Sequence, residues 1–156
     1  MSSFNPSRRS LIAGLSTAAL VTPIRAEPVP TVLVTKGPNC SCCNAWAEHL
    51  RQAGFEVKVI DGPVAPLKAK LGVPRDLASC HTAQIGGYVV EGHVPASAMK
   101  ELLARKPDAT GIAVPGMPVG SPGMEVERLD PEVYEVVQFG KTGRETLGRF
   151  RGTMRV

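Results

Sequence analysis

The chain has 156 residues, which suits one domain and is short for two. Its composition, 43% apolar and 21% charged, is typical of a folded globular protein and not of a disordered one, and no run of 18 apolar residues could form a membrane-spanning helix. The formal charge of +4 would suit an anionic partner, but one Trp, two Tyr and four Phe offer little for base stacking, which argues against nucleic acid.

The first 26 residues have the layout of a bacterial export signal. Arg8 and Arg9 precede an apolar stretch over residues 11–21 that is rich in Ala, Ser and Gly, and Ala26 offers a small residue for cleavage. The sequence around the two arginines resembles the twin-arginine pattern, with the general secretory route as the alternative. We therefore expect residues 1–26 to be removed and residues 27–156 to form a single domain in the periplasm.

A strand–helix–strand unit is predicted over residues 31–61. Residues 31–35 are β-branched and short, as in a buried strand. Apolar residues then recur at helical spacing from Asn44 until Gly54, and residues 55–59 alternate between apolar and charged. The connection is long enough for parallel strands, so we expect a right-handed crossover.

The rest of the chain predicts an α/β domain with a mixed sheet, flanking helices and one long loop. The predicted elements are helices over residues 64–71 and 95–106, a helical turn over 75–79, and strands over 88–90, 134–139 and 146–150. Residues 108–127 lack periodicity and contain Pro-Gly-Met twice, ending at Met117 and Met124. Loops of this length inside a compact domain are usually functional or disordered.

Three of the four cysteines lie within four positions, at the first strand-to-helix turn. Cys40-x-x-Cys43 at such a turn is typical of a thioredoxin-like redox pair, because a helix N-terminus stabilises thiolate. The same thiolates are good metal ligands, and a simple stapling disulfide is the third alternative. Cys42 favours metal, because a third thiol beside a redox pair invites unwanted exchange.

The remaining candidate ligands favour a soft metal. Cys80 precedes a strand and would pass beside the end of the first strand, with His81 as its neighbour and His93 after a later turn. Thiolate with thioether and imidazole is the ligand set that selects Cu(I), and four thiolates can bridge more than one ion. Zinc remains possible as a substitute. Met117 is either a thioether ligand or an ordinary gap-filling residue.

Several segments resemble a widespread family of small exported bacterial metal-binding proteins, the CopG-like copper-resistance proteins, which were long described only as a domain of unknown function. The resemblance is carried by residues 39–50 (NCSCCNAWAEHL), 79–83, 86–96, 113–118 and 120–125. It implies a thioredoxin-like fold, a periplasmic location and copper handling. It assigns the ligand role to Cys40, Cys42, Cys43 and Cys80, and further to Met117, His81 and His93. Asn39 stands where many relatives have Gly, which affects the turn and not the ligands.

We therefore predict a periplasmic protein that holds copper, mainly Cu(I) and more than one ion per chain, for sequestration, transfer or redox handling. Its partners would be copper donor or acceptor proteins, and the sequence does not give the oligomeric state. The alternative is a thiol–disulfide oxidoreductase that uses Cys40 and Cys43. The positive charge belongs to the leader and to a basic C-terminal tail, so the domain itself is mildly acidic, which suits a cation-binding protein better than a nucleic-acid binder. Residues 27–140 carry 10 basic and 13 acidic groups.

Overall fold

The computed structural model describes Met1 and residues 30–156, so the predicted export signal lies, Met1 aside, outside the described residues. The helices are α1 (Ser41–Gln52), α2 (Val64–Lys70) and α3 (Ala96–Arg105), with a short 3-10 turn over Arg75–Leu77. The strands are β1 (Val32–Lys36), β2 (Val57–Asp61), β3 (Thr82–Ile85), β4 (Tyr88–Glu91), β5 (Gly111–Ala113), β6 (Val133–Gly140), β7 (Gly143–Arg151) and β8 (Met154–Arg155). Among the described residues, no helix is long and apolar enough to span a membrane.

All eight strands form one mixed sheet in the order β2-β1-β3-β4-β5-β6-β7-β8. β1 and β2 are parallel, with Val34 opposite Val59, which confirms the predicted crossover through α1. β4 and β5 are also parallel, and the other neighbours are antiparallel. The α/β class with a mixed sheet and flanking helices is therefore confirmed.

Three strands were not predicted, and one of them corrects the predicted loop. β5 lies inside residues 108–127, where it pairs with both β4 and β6, so the irregular stretch is divided into residues 106–110 and 114–132. β3 was missed because Ala83 and Gln84 are weak strand formers. Gly86 and Gly87 both have positive φ, as the tight β3–β4 hairpin turn requires. The third, β8, has only two residues.

The core lies between the sheet and helices α1 and α3. Each of these helices buries one stripe of side chains, most of them spaced three or four residues apart, as is typical of an amphipathic helix. The fully or almost fully buried members are Trp46 and Leu50 of α1, Met99 and Leu102 of α3, and Val32, Val34, Val90 and Ile112 of the sheet. Because α1 packs on the sheet through its buried side chains, its N-terminal end, which carries the cysteines, has a fixed position.

His49 of α1 makes a capping contact with helix α3. Its Nε2 atom accepts a hydrogen bond of 3.1 Å from the backbone N–H of Ala96, the first residue of α3. That N–H has no acceptor within its own helix, so the imidazole provides one. The bond requires an unprotonated Nε2, and burial lowers the pKa of His49 from its ordinary value of 6.5, although Glu125 partly opposes the shift.

This contact predicts that the protein loses stability when the pH falls below about 6.5. The unfolded chain then binds a proton that the folded His49 resists, so the free energy of unfolding decreases until the folded pKa is reached. In the His49→Gln variant, the amide oxygen can accept the same bond. The number of protons taken up on unfolding should fall by up to one, so the free energy of unfolding should depend less on pH. Urea unfolding of the reduced, chelator-treated protein between pH 8 and 5 measures it. Equal slopes for the two proteins would contradict the prediction.

Candidate metal centre

The loop that carries the first three cysteines is held by a buried lysine. Lys36, the last residue of β1, is 5% exposed. Its ammonium donates to Gly37 O at 3.2 Å and to Pro38 O at 3.5 Å, and it pairs with Asp61 of β2 at 2.7 Å. Cys40 then serves as the N-cap of α1. Cys42 and Cys43 therefore lie in the first turn of α1, where backbone amide groups have no partner within the helix.

The fourth cysteine reaches this loop through strand pairing. β3 runs antiparallel to β1, with Thr82 opposite Thr35. The residues just before β3 must therefore lie beside the end of β1. This places Cys80, two residues before Thr82, next to the cysteine loop, as the sequence predicted.

The four cysteine sulfur atoms form one cluster, in which every pair lies within 4.8 Å. The Sγ of Cys42 is 3.5 Å from that of Cys40 and 3.9 Å from that of Cys80, and Cys43 Sγ is 3.6 Å from Cys80 Sγ. Cys40 and Cys43 are joined by a disulfide, while Cys42 and Cys80 are free thiols. The disulfide spans only three residues, so it constrains little of the unfolded chain and is a poor structural staple.

Two buried histidines also contact Cys80. His93 Nε2 lies 3.1 Å from Cys80 Sγ, and its Nδ1 lies 2.8 Å from the carbonyl oxygen of Pro122. A carbonyl only accepts, so Nδ1 carries the proton and Nε2 presents its lone pair to the sulfur. His81 Nδ1 lies 3.3 Å from the same sulfur. Among the described residues, its Nε2 is the buried side-chain nitrogen without a hydrogen-bond partner.

The protonation states of these groups suit metal coordination. Burial, with smaller contributions from His93 and Lys68, lowers the pKa of His81 to about 3. Burial also lowers the pKa of His93. Both imidazoles are therefore neutral, which is the form that binds metal. Burial and the neighbouring Cys42 raise the pKa of the Cys80 thiol to about 11, so a cation that binds Cys80 must displace its proton.

The two Pro-Gly-Met turns contact different parts of the site. In the first, Gly116 accepts a hydrogen bond from the hydroxyl of Ser79, beside Cys80, while the side chain of Met117 is 52% exposed. In the second, Gly123 has a φ of +83°, and a Cβ there would lie 2.7 Å from both Cys42 O and Trp46 N. Only glycine lets this turn pack on the start of α1. Met117 therefore lies on the exposed part of its loop.

The sequence did not identify every residue that shapes the centre. Pro122, which orients His93, lies 29 residues from it, and a proline carbonyl carries no sequence signal of this role. Lys68 and Glu91 form an ion pair behind Cys80, which the sequence did not predict. Their only sequence signal was the position of Glu91 at the end of a predicted apolar strand, where a charged residue needs a partner.

Comparisons with known proteins extend these observations. A family model described as a protein of unknown function, DUF411, matches residues 77–124. The chain is similar to two solved structures of the copper resistance protein CopG, both at 42% sequence identity. For Form 2 the match covers 80% of this chain and 99% of that chain with a TM-score of 0.73, and for Form 1 it covers 79% and 99% with a TM-score of 0.72. No curated protein matches the chain.

Proposed function

Because the chain belongs to the CopG family of copper-resistance proteins, we propose that it binds copper, held as Cu(I) by Cys40, Cys42, Cys43 and Cys80. The observation that carries this proposal is the grouping of four sulfur atoms within 4.8 Å of one another. Thiolates are soft ligands that select Cu(I) over harder cations. Four of them at this spacing can bridge several ions, so we propose more than one Cu(I) per chain, with zinc as a possible substitute.

The histidines and Met117 would complete the coordination. His93 supports this role, because its Nδ1–H is fixed by a carbonyl and its Nε2 lone pair faces Cys80, as is usual for a histidine ligand. His81 is neutral, and its Nδ1 lies 3.3 Å from the same sulfur atom. Met117 follows Gly116, whose carbonyl is hydrogen-bonded to Ser79 beside Cys80, and its residue is 52% exposed.

The proposed setting is the periplasm, after export by the twin-arginine or the general secretory route. There the protein would sequester, transfer or change the redox state of excess copper, in exchange with copper donor or acceptor proteins. A thioredoxin-like fold is part of the proposal. It is supported by the parallel β1–α1–β2 unit, by the antiparallel β3–β4 hairpin next to β1, and by a Cys-x-x-Cys pair at the β1–α1 turn.

We expect the fully reduced protein to bind more than one Cu(I) per chain. Reduction breaks the Cys40–Cys43 disulfide with two electrons and two protons and makes four thiols available in one cluster. Anaerobic titration against a competing Cu(I) chelator, with a thiol count on the same sample, gives the stoichiometry. The matched control is the protein with the disulfide intact, which should bind less. Zero stoichiometry with four intact thiols would refute copper binding at this cluster.

The second candidate function is thiol–disulfide exchange, which the bonded Cys40–Cys43 pair at a helix start favours. A dithiol oxidoreductase needs those two cysteines and not Cys42. If exchange is the main function, Cys42→Ser should keep insulin-reduction activity and Cys43→Ser should lose it. If copper binding is the main function, we expect weak insulin reduction by the wild-type protein and a lower copper stoichiometry for Cys42→Ser.

A further inference from the structure

Behind Cys80 lies a buried ion pair that no part of the proposed copper site uses. Glu91, the last residue of β4, is completely buried, and Lys68 of α2 is 14% exposed. The Lys68 ammonium contacts Glu91 Oε1 directly. Removing two charges from water is unfavourable, and an ion pair of this kind often contributes nothing net to stability. The contacts of this pair therefore indicate a role other than stability.

The Glu91 carboxylate holds the chain on both sides of Cys80. Its Oε1 accepts a hydrogen bond of 2.6 Å from the backbone N–H of Ser79, and its Oε2 accepts one of 2.7 Å from the Thr82 hydroxyl. Lys68 donates to the same hydroxyl at 2.9 Å. Cys80 and His81 lie between these two attachment points.

This stretch needs such a contact because it precedes the regular strand. β3 begins only at Thr82, so the N–H of Ser79 lies outside the sheet ladder. The chain here is also bonded to the residue after Glu91, since Gly92 N–H donates to His81 O at 3.2 Å. A Cβ on Gly92 would lie 2.6 Å from Ser79 Cβ, so the two segments are in close contact. The carboxylate thus replaces the missing ladder bond for the residue next to Cys80.

We propose that Glu91 is a positioning residue for the metal centre, which fixes Cys80 against the other three sulfur atoms, and that Lys68 balances its charge. The inference rests on the proposed copper-binding function. Partners that orient a ligand usually change metal affinity 10- to 100-fold when they are lost. We expect an effect of this size, because Cys80 is the one cysteine that does not belong to the loop at the start of α1.

Two double variants distinguish the effect of the hydrogen-bond acceptor at position 91 from the effect of the charges of the ion pair. Lys68→Met with Glu91→Gln removes both charges and keeps an amide oxygen for Ser79 N–H. Lys68→Met with Glu91→Leu removes both charges and the acceptor. Neither leaves a buried charge unpaired, so both avoid the largest folding penalty. Val136→Ala, a cavity variant in β6 at a fully buried position, is the control for destabilisation alone.

Each protein is reduced and titrated anaerobically with Cu(I) against a competing chelator, and its urea unfolding is measured separately. We expect the Gln variant to stay within about threefold of wild-type affinity and the Leu variant to bind at least about tenfold more weakly. Val136→Ala should lose stability and keep its Cu(I) affinity. The absorption of the Cu(I)–thiolate complex should change for the Leu variant only, which a general loss of stability would not produce.

The outcomes distinguish this proposal from the function on which it rests. If the wild-type protein binds no Cu(I), the copper-binding function is wrong. If the wild-type protein binds and the Leu variant binds equally well, Glu91 does not position the site. Should the Leu variant fail to fold, Thr82→Val removes one donor to the carboxylate at nearly constant volume, and unchanged affinity and absorption there would overturn the proposal.

Discussion

Replacing Cys80 with Ser is expected to weaken Cu(I) binding by about 100-fold and to lower the number of ions bound. Cys80 Sγ contacts the sulfur atoms of Cys42 and Cys43 and a ring nitrogen of both His81 and His93. Structural zinc sites with four protein ligands bind their ion with roughly 10–16 kcal/mol. By the same proportion, one ligand in four contributes about 3 kcal/mol here, which corresponds to about 100-fold in affinity.

The measurement is anaerobic competition with a Cu(I) chelator on reduced protein. Ser41→Ala is the matched control, because Ser41 lies between Cys40 and Cys42 in the same turn, is exposed and supplies no thiolate. It should bind copper as the wild type does. If Cys80→Ser also retained wild-type affinity and stoichiometry, the three cysteines of the loop would suffice and the role given to Cys80 would be wrong.

The second large effect is expected on stability, from Trp46→Ala. Trp46 is completely buried, and its indole N–H donates to Val94 O at 2.8 Å. The centroid of its ring lies 4.4 Å from that of the His81 ring, so Trp46 also forms one wall of the metal centre. Truncation of a buried aromatic side chain typically costs about 3–5 kcal/mol, because a cavity remains where the ring was.

Urea unfolding of the reduced, chelator-treated protein measures this cost. Trp46→Phe is the comparison variant, since it keeps a ring next to His81 and loses the hydrogen bond to Val94. An unsatisfied buried carbonyl costs about 1–3 kcal/mol, so the Phe variant should lie between the wild type and the Ala variant. A loss below about 1 kcal/mol for Trp46→Ala would show that the packing around α1 collapses onto the vacated space.

The first half of the fold could be predicted from the sequence, because its elements are encoded locally. Strand β1, helix α1 and strand β2 follow from period-2 and period-3.6 patterns and from Gly54 between them. The cysteine cluster at the β1–α1 turn followed from the same patterns. The prediction placed the start of α1 at Asn44, whereas the helix begins at Ser41. Cys42 and Cys43 therefore belong to the helix itself.

The short strands could not be predicted, since they exist only through their neighbours. β5 has three residues, Gly111–Ala113, and is a strand because β4 and β6 supply hydrogen-bond partners on both sides. A Cβ on Gly111 would lie 2.0 Å from Val89 O, so the close approach of β4 also requires this glycine. No local pattern in three residues carries such information.

The sequence by itself determined the ligand chemistry, because residue type fixes the softness of a donor atom. It contains four cysteines, the Cys-x-x-Cys spacing and a histidine next to Cys80, and this set indicates a soft-metal or redox centre. Only the tertiary structure decided the geometry. It brought Cys80 to the loop through the β1–β3 pairing, oriented His93 through Pro122, and placed the Lys68–Glu91 pair behind the site. These contacts join residues 23 to 51 positions apart. Chain folding creates such contacts, and local sequence patterns do not record them.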